Sequence, residues 1–255
     1  MNRNTELRIS DKKFFLIKNI LDFLLGIIIL LIASPFMLII AIILFLIFRS
    51  LPFIVQERGI TEEKHIFNIY KFKTIKPNID NNPGRDENIL HKQHLSDYVP
   101  AFCRWLRKSG LDELPQIINV LKGEMSLIGP RPLMISDLKI IRHKHPDYYC
   151  RRQLIKVKPG ITGLWQVHGN RSQGIENLLH LDIKYSENVS VSLDAEILLA
   201  TITLVFMGKH SDAIITGMTE SRIFNRVNNF STIQNRKVKI IYAIVIVFSY
   251  WIAQV

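Results

Sequence analysis

Cysteine is scarce in this sequence, and its scarcity narrows the classes of protein that need to be considered. Only two cysteines occur in 255 residues, Cys103 and Cys150, and they form no CxxC pair. A chain of this length can bury a core without disulfides or a structural metal, and two isolated thiols suit a reducing compartment. The pairs His91-x-x-His94 and His143-x-His145 lack the further ligands of a zinc site. The composition therefore indicates neither a disulfide framework nor a zinc domain.

Acidic residues are also few relative to basic ones. Asp and Glu total 22 against 33 Lys and Arg, which gives a formal net charge of +11. Nevertheless 48% of the residues are hydrophobic and the mean hydropathy is +0.16. A chain this apolar can offset the entropy of ordering, which excludes intrinsic disorder. The excess of positive charge predicts an anionic partner, whether nucleic acid, membrane headgroups or a phosphorylated substrate.

Charge is missing altogether from residues 23–48. These 26 residues would form a helix about 39 Å long, against a hydrocarbon core of about 30 Å. A secretory signal peptide has a shorter apolar run followed by a small-residue cleavage site, whereas Arg49, Leu51 and Pro52 follow this one. The segment predicts that the chain is attached to a membrane.

Two topologies fit this segment. Its length alone suits a single tilted transmembrane helix. However, basic residues flank both ends, so the positive-inside rule favours neither end for the outside. In the middle, Pro35 removes the hydrogen bond to the Leu31 carbonyl and kinks the helix, while the Ser34 hydroxyl can satisfy a freed backbone group. These features favour a re-entrant helix-Pro-helix, with both ends on the cytoplasmic face.

The chain divides into four parts by composition. Residues 1–19 are a basic lead, 20–48 the membrane segment, 49–208 a globular domain and 209–255 a tail. Within the tail, the uncharged residues 240–253 are short for a membrane span. A second membrane contact and a packed terminal strand or helix suit them equally. The pattern of the globular part predicts an α+β, mainly helical fold.

Two adjacent carboxylates, Asp112 and Glu113, stand where an apolar helix begins. Apolar residues follow at helical spacing from Leu114 to Leu121, and Gly123 is placed to end the helix. The positive N-terminus of a helix keeps a carboxylate ionised, as an attacking carboxylate or a magnesium ligand must be. The ordinary alternative is a pair of acids that only stabilise the helix end, which is very common.

Basic residues recur in three further patterns. In Gly129-Pro130-Arg131-Pro132, a rigid backbone presents a guanidinium, which suits a phosphate. The basic, aromatic stretch 104–108 can lie at the headgroup level, and the basic run 142–158 indicates a solvated face that can touch anionic lipid. Separately, Pro159-Gly160 predicts a type II turn that leads into a strand-like segment.

Five stretches occurring together and in order carry a resemblance to a known family. They are YKFKT at 70–74, LRKSGLDELPQIINVLKGEMS at 106–126, IGPRPL at 128–133, VKPGITGLWQV at 157–167, and the spaced residues Asp182, Tyr185, Asn188, Ser190 and Asp194. Over roughly residues 13–208 the chain resembles the bacterial sugar transferases, the monotopic phosphoglycosyl transferases that act on polyprenol phosphate. Ser34-Pro35 also resembles the kink of that family's re-entrant helix.

The resemblance implies a two-step reaction and a role for each matching residue. Asp112 would attack the β-phosphate of a UDP-sugar, release UMP and retain the phosphosugar, which polyprenol phosphate then accepts. Glu113 matches a position associated with Mg²⁺, the implied cofactor. Lys71, Arg107 and Arg131 match basic positions and are candidates for phosphate binding, and Asp182 would orient one of these basic groups.

The resemblance also implies partners and a location. The partners are a UDP-sugar, undecaprenyl phosphate, membrane lipids and the downstream glycosyltransferases of a polysaccharide or glycoconjugate pathway that this enzyme would initiate. The place is the bacterial inner membrane, with a cytoplasmic catalytic domain and amphipathic helices at the interface. One alternative is a non-catalytic, basic, membrane-anchored binding protein, and another is a spanning anchor with an external domain. Nucleic acid is not an expected partner, because no base-reading module is recognisable.

Overall fold

Helices dominate residues 9–75, 99–169 and 174–207, the parts of the chain that the structure, a computed structural model, describes. In chain order the elements are α1 (Ile9–Phe48), β1 (Phe53–Gly59), β2 (Phe67–Phe72), α2 (Ala101–Ser109), a 3-10 helix (Leu111–Gln116), α3 (Ile117–Leu121), β3 (Ser126–Ile128), β4 (Leu133–Met134), α4 (Ile135–Lys144), α5 (Pro146–Gln153), β5 (Gly160–Thr162), α6 (Leu164–His168), α7 (Gly174–Glu187) and α8 (Val191–Met207). The prediction of a mainly helical α+β fold is confirmed. The predicted tail, 209–255, lies outside the described residues.

Helix α1 contains the whole uncharged run and part of the basic lead. It is the only helix among the described residues that is long and apolar enough to cross a membrane. Pro35 lies inside it and does not end it. The hydroxyl of Ser34 donates to the carbonyl oxygen of Leu31 at 3.0 Å, which is the carbonyl that a proline four residues later leaves without its helical donor. The serine thus satisfies the backbone group that the proline frees.

Both halves of α1 pack against the same folded domain. Phe15, Ile29 and Leu30 of the first half contact a core cluster that includes residues of α3, β3 and β5. In the second half, Ile40 and Leu44 are buried in a cluster with Cys103 and Leu106 of α2 and Phe72 of β2. Between the two halves, Leu31, Ile32, Ser34, Pro35 and Phe36 are exposed, as are many other apolar residues of α1.

Buried polar contacts hold the first half of α1 in place. Lys18 Nζ lies 2.6 Å from Asp194 Oδ2 of α8. The Asp22 carboxylate accepts hydrogen bonds from Ser126 Oγ at 2.7 Å and from the backbone N–H of Leu127 at 3.2 Å. Removing one partner from a buried ion pair strands a charge and costs about 3–5 kcal/mol. These contacts therefore fix the start of α1 to the domain.

The strands form two small sheets that bring distant segments together. One is antiparallel, in the order β2-β1-β4, and the other pairs β3 with β5 in parallel. The predicted type II turn at Pro159-Gly160 is wrong, because Gly160 does not have the positive φ that the turn requires. Gly160 instead begins β5, where a Cβ would overlap the backbone nitrogen of Gly129. Glycine is needed here for close approach and not for a turn.

Helix α2 is amphipathic, as the basic, aromatic stretch 104–108 predicts. Cys103 and Leu106 face the core, whereas Arg104, Trp105 and Lys108 are exposed, with Trp105 showing 51% of its surface. An exposed tryptophan beside basic residues is typical of a helix that rests at a membrane interface.

Candidate functional site

The two adjacent carboxylates lie on a 3-10 helix that follows a tight turn. Gly110 has φ 74°, in the left-handed region that favours glycine, and it ends α2 by donating its N–H to Arg107. The backbone N–H of Glu113 then donates to Gly110 O at 3.1 Å, and the 3-10 helix runs from Leu111 to Gln116 before α3 begins. The helix thus starts irregularly, so Asp112 and Glu113 have different surroundings: Asp112 is half-buried and Glu113 is 4% exposed.

Glu113 is held between two cations. Its Oε1 forms a short ion pair with Lys71 Nζ and lies 3.5 Å from Arg131 Nη2. The side chains of Lys71, Glu113 and Arg131 are 12%, 5% and 15% exposed, so solvent screens these charges weakly. The cluster carries one negative and two positive charges, and the surplus positive charge favours an added anion.

Lys71 reaches this cluster because β2 is tied to the helix that follows the carboxylates. Asn119 of α3 is fully buried, and its side chain donates to Asn68 O at 2.7 Å and accepts the Tyr70 N–H at 3.2 Å. A buried amide with all these partners satisfied fixes the register of the two elements. Asn119 therefore positions Lys71 opposite Glu113.

The buried ion pair of Arg152 and Asp182 forms hydrogen bonds to both the N–H and the carbonyl oxygen of Arg131. Asp182 accepts the Arg131 N–H at 3.2 Å, and Arg152 Nη2 donates to the Arg131 carbonyl oxygen at 2.8 Å. Arg152 Nη1 in turn lies 2.5 Å from Asp182 Oδ2, and both side chains are 0% exposed. This contact is of the kind expected from an orienting residue at 182, whose role in catalysis stays a prediction.

Arg152 shows that the interpretation of residues 142–158 as a solvated basic face is wrong at this position. Its guanidinium also donates to Ile60 O at 3.0 Å, so every side of it meets protein. A buried arginine persists only when its donors are used. Its neighbours Arg142 and Arg151 remain on the surface, as predicted.

Arg107 lies on α2, the helix that precedes the carboxylate pair. Its Nη1 donates to Thr74 Oγ1 at 3.2 Å. Burial raises the pKa of the Cys103 thiol to about 11, with a lowering contribution from Arg107 and a raising one from Asp112. Lys71 and Arg131 are thus the cations at Glu113, and Arg107 is a further cation on the neighbouring helix α2.

A small polar cleft opens at Glu113, and it includes residues that the sequence did not single out. Its lining is formed by Arg58, Ile69, Lys71, Glu113, Gln116, Arg131, Pro132 and Gly160. Arg58 is a third cation that no local motif distinguishes, and Gln116 is a buried amide within the family stretch 106–126 for which the sequence predicts no role. The enclosed volume is about 10 Å³, roughly the room of one water. A larger anion must therefore bind at the mouth or displace side chains.

The structure thus brings Lys71, Glu113 and Arg131 into one cluster, with Asp182 bonded to the backbone of Arg131. Asp112 is next to Glu113 in the chain, and Arg107 is on the preceding helix. Ser34 and Pro35 are exposed near the middle of α1. No group of three or more His, Cys, Asp or Glu residues that could hold a metal occurs among residues 9–75, 99–169 and 174–207. A divalent ion here would depend on Glu113 together with oxygens of a bound phosphate, which is a usual donor set for Mg²⁺.

These features define a class of protein that has a long apolar helix and, on the attached domain, two adjacent carboxylates with a cluster of cations at one of them. The family model described as "Bacterial sugar transferase" matches residues 13–208. The chain belongs to this family, as the sequence motifs predict.

Several relatives share the matched region. The chain is 32% identical over 209 residues to the undecaprenyl-phosphate galactose phosphotransferase of Salmonella typhimurium, covering 74% of this chain and 40% of that protein. It is 32% identical over 197 residues to the UDP-glucose:undecaprenyl-phosphate glucose-1-phosphate transferase of Klebsiella pneumoniae, covering 75% and 40%. The exopolysaccharide production protein ExoY of Sinorhizobium fredii is 32% identical over 165 residues, covering 61% and 70%. The matched part spans about two fifths of the length of the first two relatives.

The anion site can be tested without any assumption about the reaction. Replacing Lys71 by methionine should weaken the binding of inorganic diphosphate about tenfold, because one charge-assisted hydrogen bond is lost. Lys73→Met is the matched control, since Lys73 Nζ donates to Ser50 Oγ at 3.0 Å and does not line the cleft. Titration calorimetry on the two variants should show the loss only at Lys71, and equal affinities would place the anion elsewhere.

Proposed function

We propose that this protein transfers a sugar 1-phosphate from a UDP-sugar to undecaprenyl phosphate in two steps, with Asp112 as the nucleophile. The observation that carries the proposal is the pair Asp112–Glu113 on an irregular helix start, with Lys71 and Arg131 at Glu113 and with Arg107 on the helix that precedes the pair. A carboxylate among fixed cations suits attack on a phosphorus atom, because the cations stabilise charge on the transferring group.

In the first step, a carboxylate oxygen of Asp112 attacks the β-phosphorus of the UDP-sugar. The bond between that phosphorus and the oxygen bridging the two phosphates breaks, and UMP departs with the electron pair on its phosphate. The sugar stays attached through its phosphate to Asp112 as an acyl phosphate, a covalent intermediate within the range of enzyme carboxylates. The surplus positive charge around Glu113 would attract the diphosphate.

In the second step, a phosphate oxygen of undecaprenyl phosphate attacks the same phosphorus. The bond to Asp112 breaks, the carboxylate is restored and the product is a polyprenyl diphosphate sugar. This acceptor is held in the membrane, so the nucleophile must lie at the headgroup plane. The exposed Trp105 on α2 and the packing of α2 against the second half of α1 support that position.

Glu113 is the residue that would hold Mg²⁺. The ion supplies neutralisation of phosphate charge when it is bound with the diphosphate. Without it, Glu113 orients Lys71 and Arg131 by the ion pairs described above. Glu113 would thus have a role both before and after Mg²⁺ and the diphosphate bind.

The contacts of α1 support a re-entrant topology. Lys18 and Leu44 both contact one domain, although 26 residues of straight helix would separate them by about 39 Å. If α1 crossed the bilayer, the domain that lies along it would have to cross as well, with non-helical backbone in the hydrocarbon. The exposed residues around Ser34 and Pro35 instead form the part that enters the lipid. Both ends of α1 and the catalytic domain would then face the cytoplasm of a bacterial inner membrane.

The product of this reaction is a lipid-linked sugar, which further glycosyltransferases can extend. The protein would therefore act at the first step in the assembly of a polysaccharide or glycoconjugate. The relatives named above, which include two undecaprenyl-phosphate transferases and an exopolysaccharide production protein, support this placement.

The nucleophile is tested by replacing Asp112 with asparagine. With Mg²⁺, undecaprenyl phosphate and a panel of UDP-sugars, UMP release by the solubilised protein should fall about a thousandfold or more, since an amide cannot form the acyl phosphate. Asp147→Asn is the matched control, because Asp147 is exposed in the first turn of α5. Full activity in Asp112→Asn would refute the assignment, and no UMP from the unmodified protein with any sugar would favour a non-catalytic binding protein.

The topology is tested by labelling single cysteines with an impermeant thiol reagent. Lys13→Cys and Glu63→Cys would be placed at exposed positions in a Cys150→Ser background, where Cys103 is silent because it is buried and its pKa is about 11. Neither cysteine should react on spheroplasts, and both should react in inverted membrane vesicles. Labelling of one but not the other on spheroplasts would show that α1 spans the membrane.

A further inference from the structure

A second cavity, of about 520 Å³, lies beside the start of α1 and is separate from the cleft at Glu113. Its walls come from α1, from the end of α5 with the segment that follows it, and from the end of α7 with the loop that follows it. None of the candidate catalytic or phosphate-binding residues lines it. A volume of this size is typical of sites for small organic ligands.

One side of the cavity is apolar and continues onto the exposed surface of α1. Phe14 and Phe15 pack edge to face and line it together with the buried Val157. Leu154 stands at the rim with 74% of its surface exposed. In the next turns of α1, Leu16, Ile17 and Ile20 are exposed as well. A large apolar patch continuous with a membrane helix is a surface for lipid chains.

The other side of the cavity is basic. Arg151 and Lys156 line it, and the single acid of the lining, Glu187, lies 3.1 Å from Arg151. Two cations against one acid leave a surplus of positive charge for an anion.

We propose that this cavity binds an anionic phospholipid of the surrounding membrane, with its phosphate at Arg151 and Lys156 and an acyl chain against Phe14, Phe15 and Leu154. The proposal rests on the membrane attachment of α1 and goes beyond the transfer reaction. The combination of an apolar wall and a basic rim at the start of a membrane helix matches the two parts of a phospholipid. A lipid bound here would stabilise the position of α1 where the helix enters the bilayer.

The polyprenyl phosphate acceptor is a poorer occupant. Its phosphate must reach Asp112, whose neighbours pack against the second half of α1, whereas the cavity adjoins Phe15. The lining of the cavity contains none of Lys71, Asp112, Glu113 and Arg131, so an acceptor held there would not contact the nucleophile.

The test uses the full chain in nanodiscs that contain a photoactivatable phosphatidylglycerol or the matching phosphatidylcholine, with crosslinked peptides identified by mass spectrometry. Phosphatidylglycerol should label the segments around Phe14 and Leu154, and phosphatidylcholine should label them much less. The double variant Arg151→Gln, Lys156→Gln should reduce this labelling about 10- to 30-fold, because each basic side chain near an anionic surface contributes about fivefold. The double variant Lys139→Gln, Lys144→Gln is the control, since both lysines are exposed on α4 outside the cavity.

Three outcomes would overturn the proposal: equal labelling by the two lipids, labelling that survives the Arg151 and Lys156 changes, or displacement of the label by a low mole fraction of undecaprenyl phosphate. The last would assign the cavity to the acceptor. Because crosslinking needs no turnover, a failure here can be told apart from a failure of the transferase proposal, which the UMP assay reports by itself.

Discussion

The buried ion pair between Arg152 and Asp182 is the contact on which the arrangement of the candidate active site depends. It joins α5 to α7, and through Ile60 O and the Arg131 peptide it also reaches the segment after β1 and the loop between β3 and β4. Both charges are 0% exposed, so neither can be removed alone without stranding the other, at a cost of about 3–5 kcal/mol. The pair therefore fixes where the Arg131 guanidinium can reach.

A second buried network does the same for the membrane helix. Lys18 and Asp22 on α1 bind Asp194 and Ser126 of the domain, and Tyr185 donates to Asp194 at 2.6 Å. Three residues of the motif shared with the family, Ser126, Tyr185 and Asp194, thus hold the anchor and lie outside the anion cleft. The two networks have different effects: one positions Arg131 at Glu113, and the other fixes α1 to the domain that carries this cluster.

Much of this arrangement can be predicted from the sequence, because several of its features depend on residues that are close together in the chain. Gly123 ends its helix with φ 76°, the exposed face of α2 carries its basic and aromatic residues, and Ser34 satisfies the carbonyl that Pro35 frees. The carboxylate pair was also recognisable, since acids at an irregular helix start have a local pattern. The type II turn predicted at Pro159-Gly160 is wrong because the residue that requires a glycine at 160, Gly129, is distant in sequence.

The remaining features depend on contacts between residues far apart in the chain. Arg152 lies in a basic run that is typical of a solvated face, and only the convergence of residues 60, 131 and 182 makes its burial possible. Arg58 and Gln116 join the cleft for the same reason, because pairing of β1 with β2 and the turn at Gly110 carry them there. Arg58 stands in no motif, and Gln116 stands in the family stretch 106–126 without a predicted role.

The central claim is that Asp112 carries the phosphosugar, and the most direct measurement is the mass of the intact protein after exposure to a UDP-sugar and Mg²⁺ without acceptor. The account predicts a mass increase of one sugar phosphate, located on the peptide that contains Asp112, lost on addition of undecaprenyl phosphate and absent from Asp112→Asn. An unmodified Asp112 in protein that turns over the same UDP-sugar, or an adduct that persists in Asp112→Asn, would contradict it.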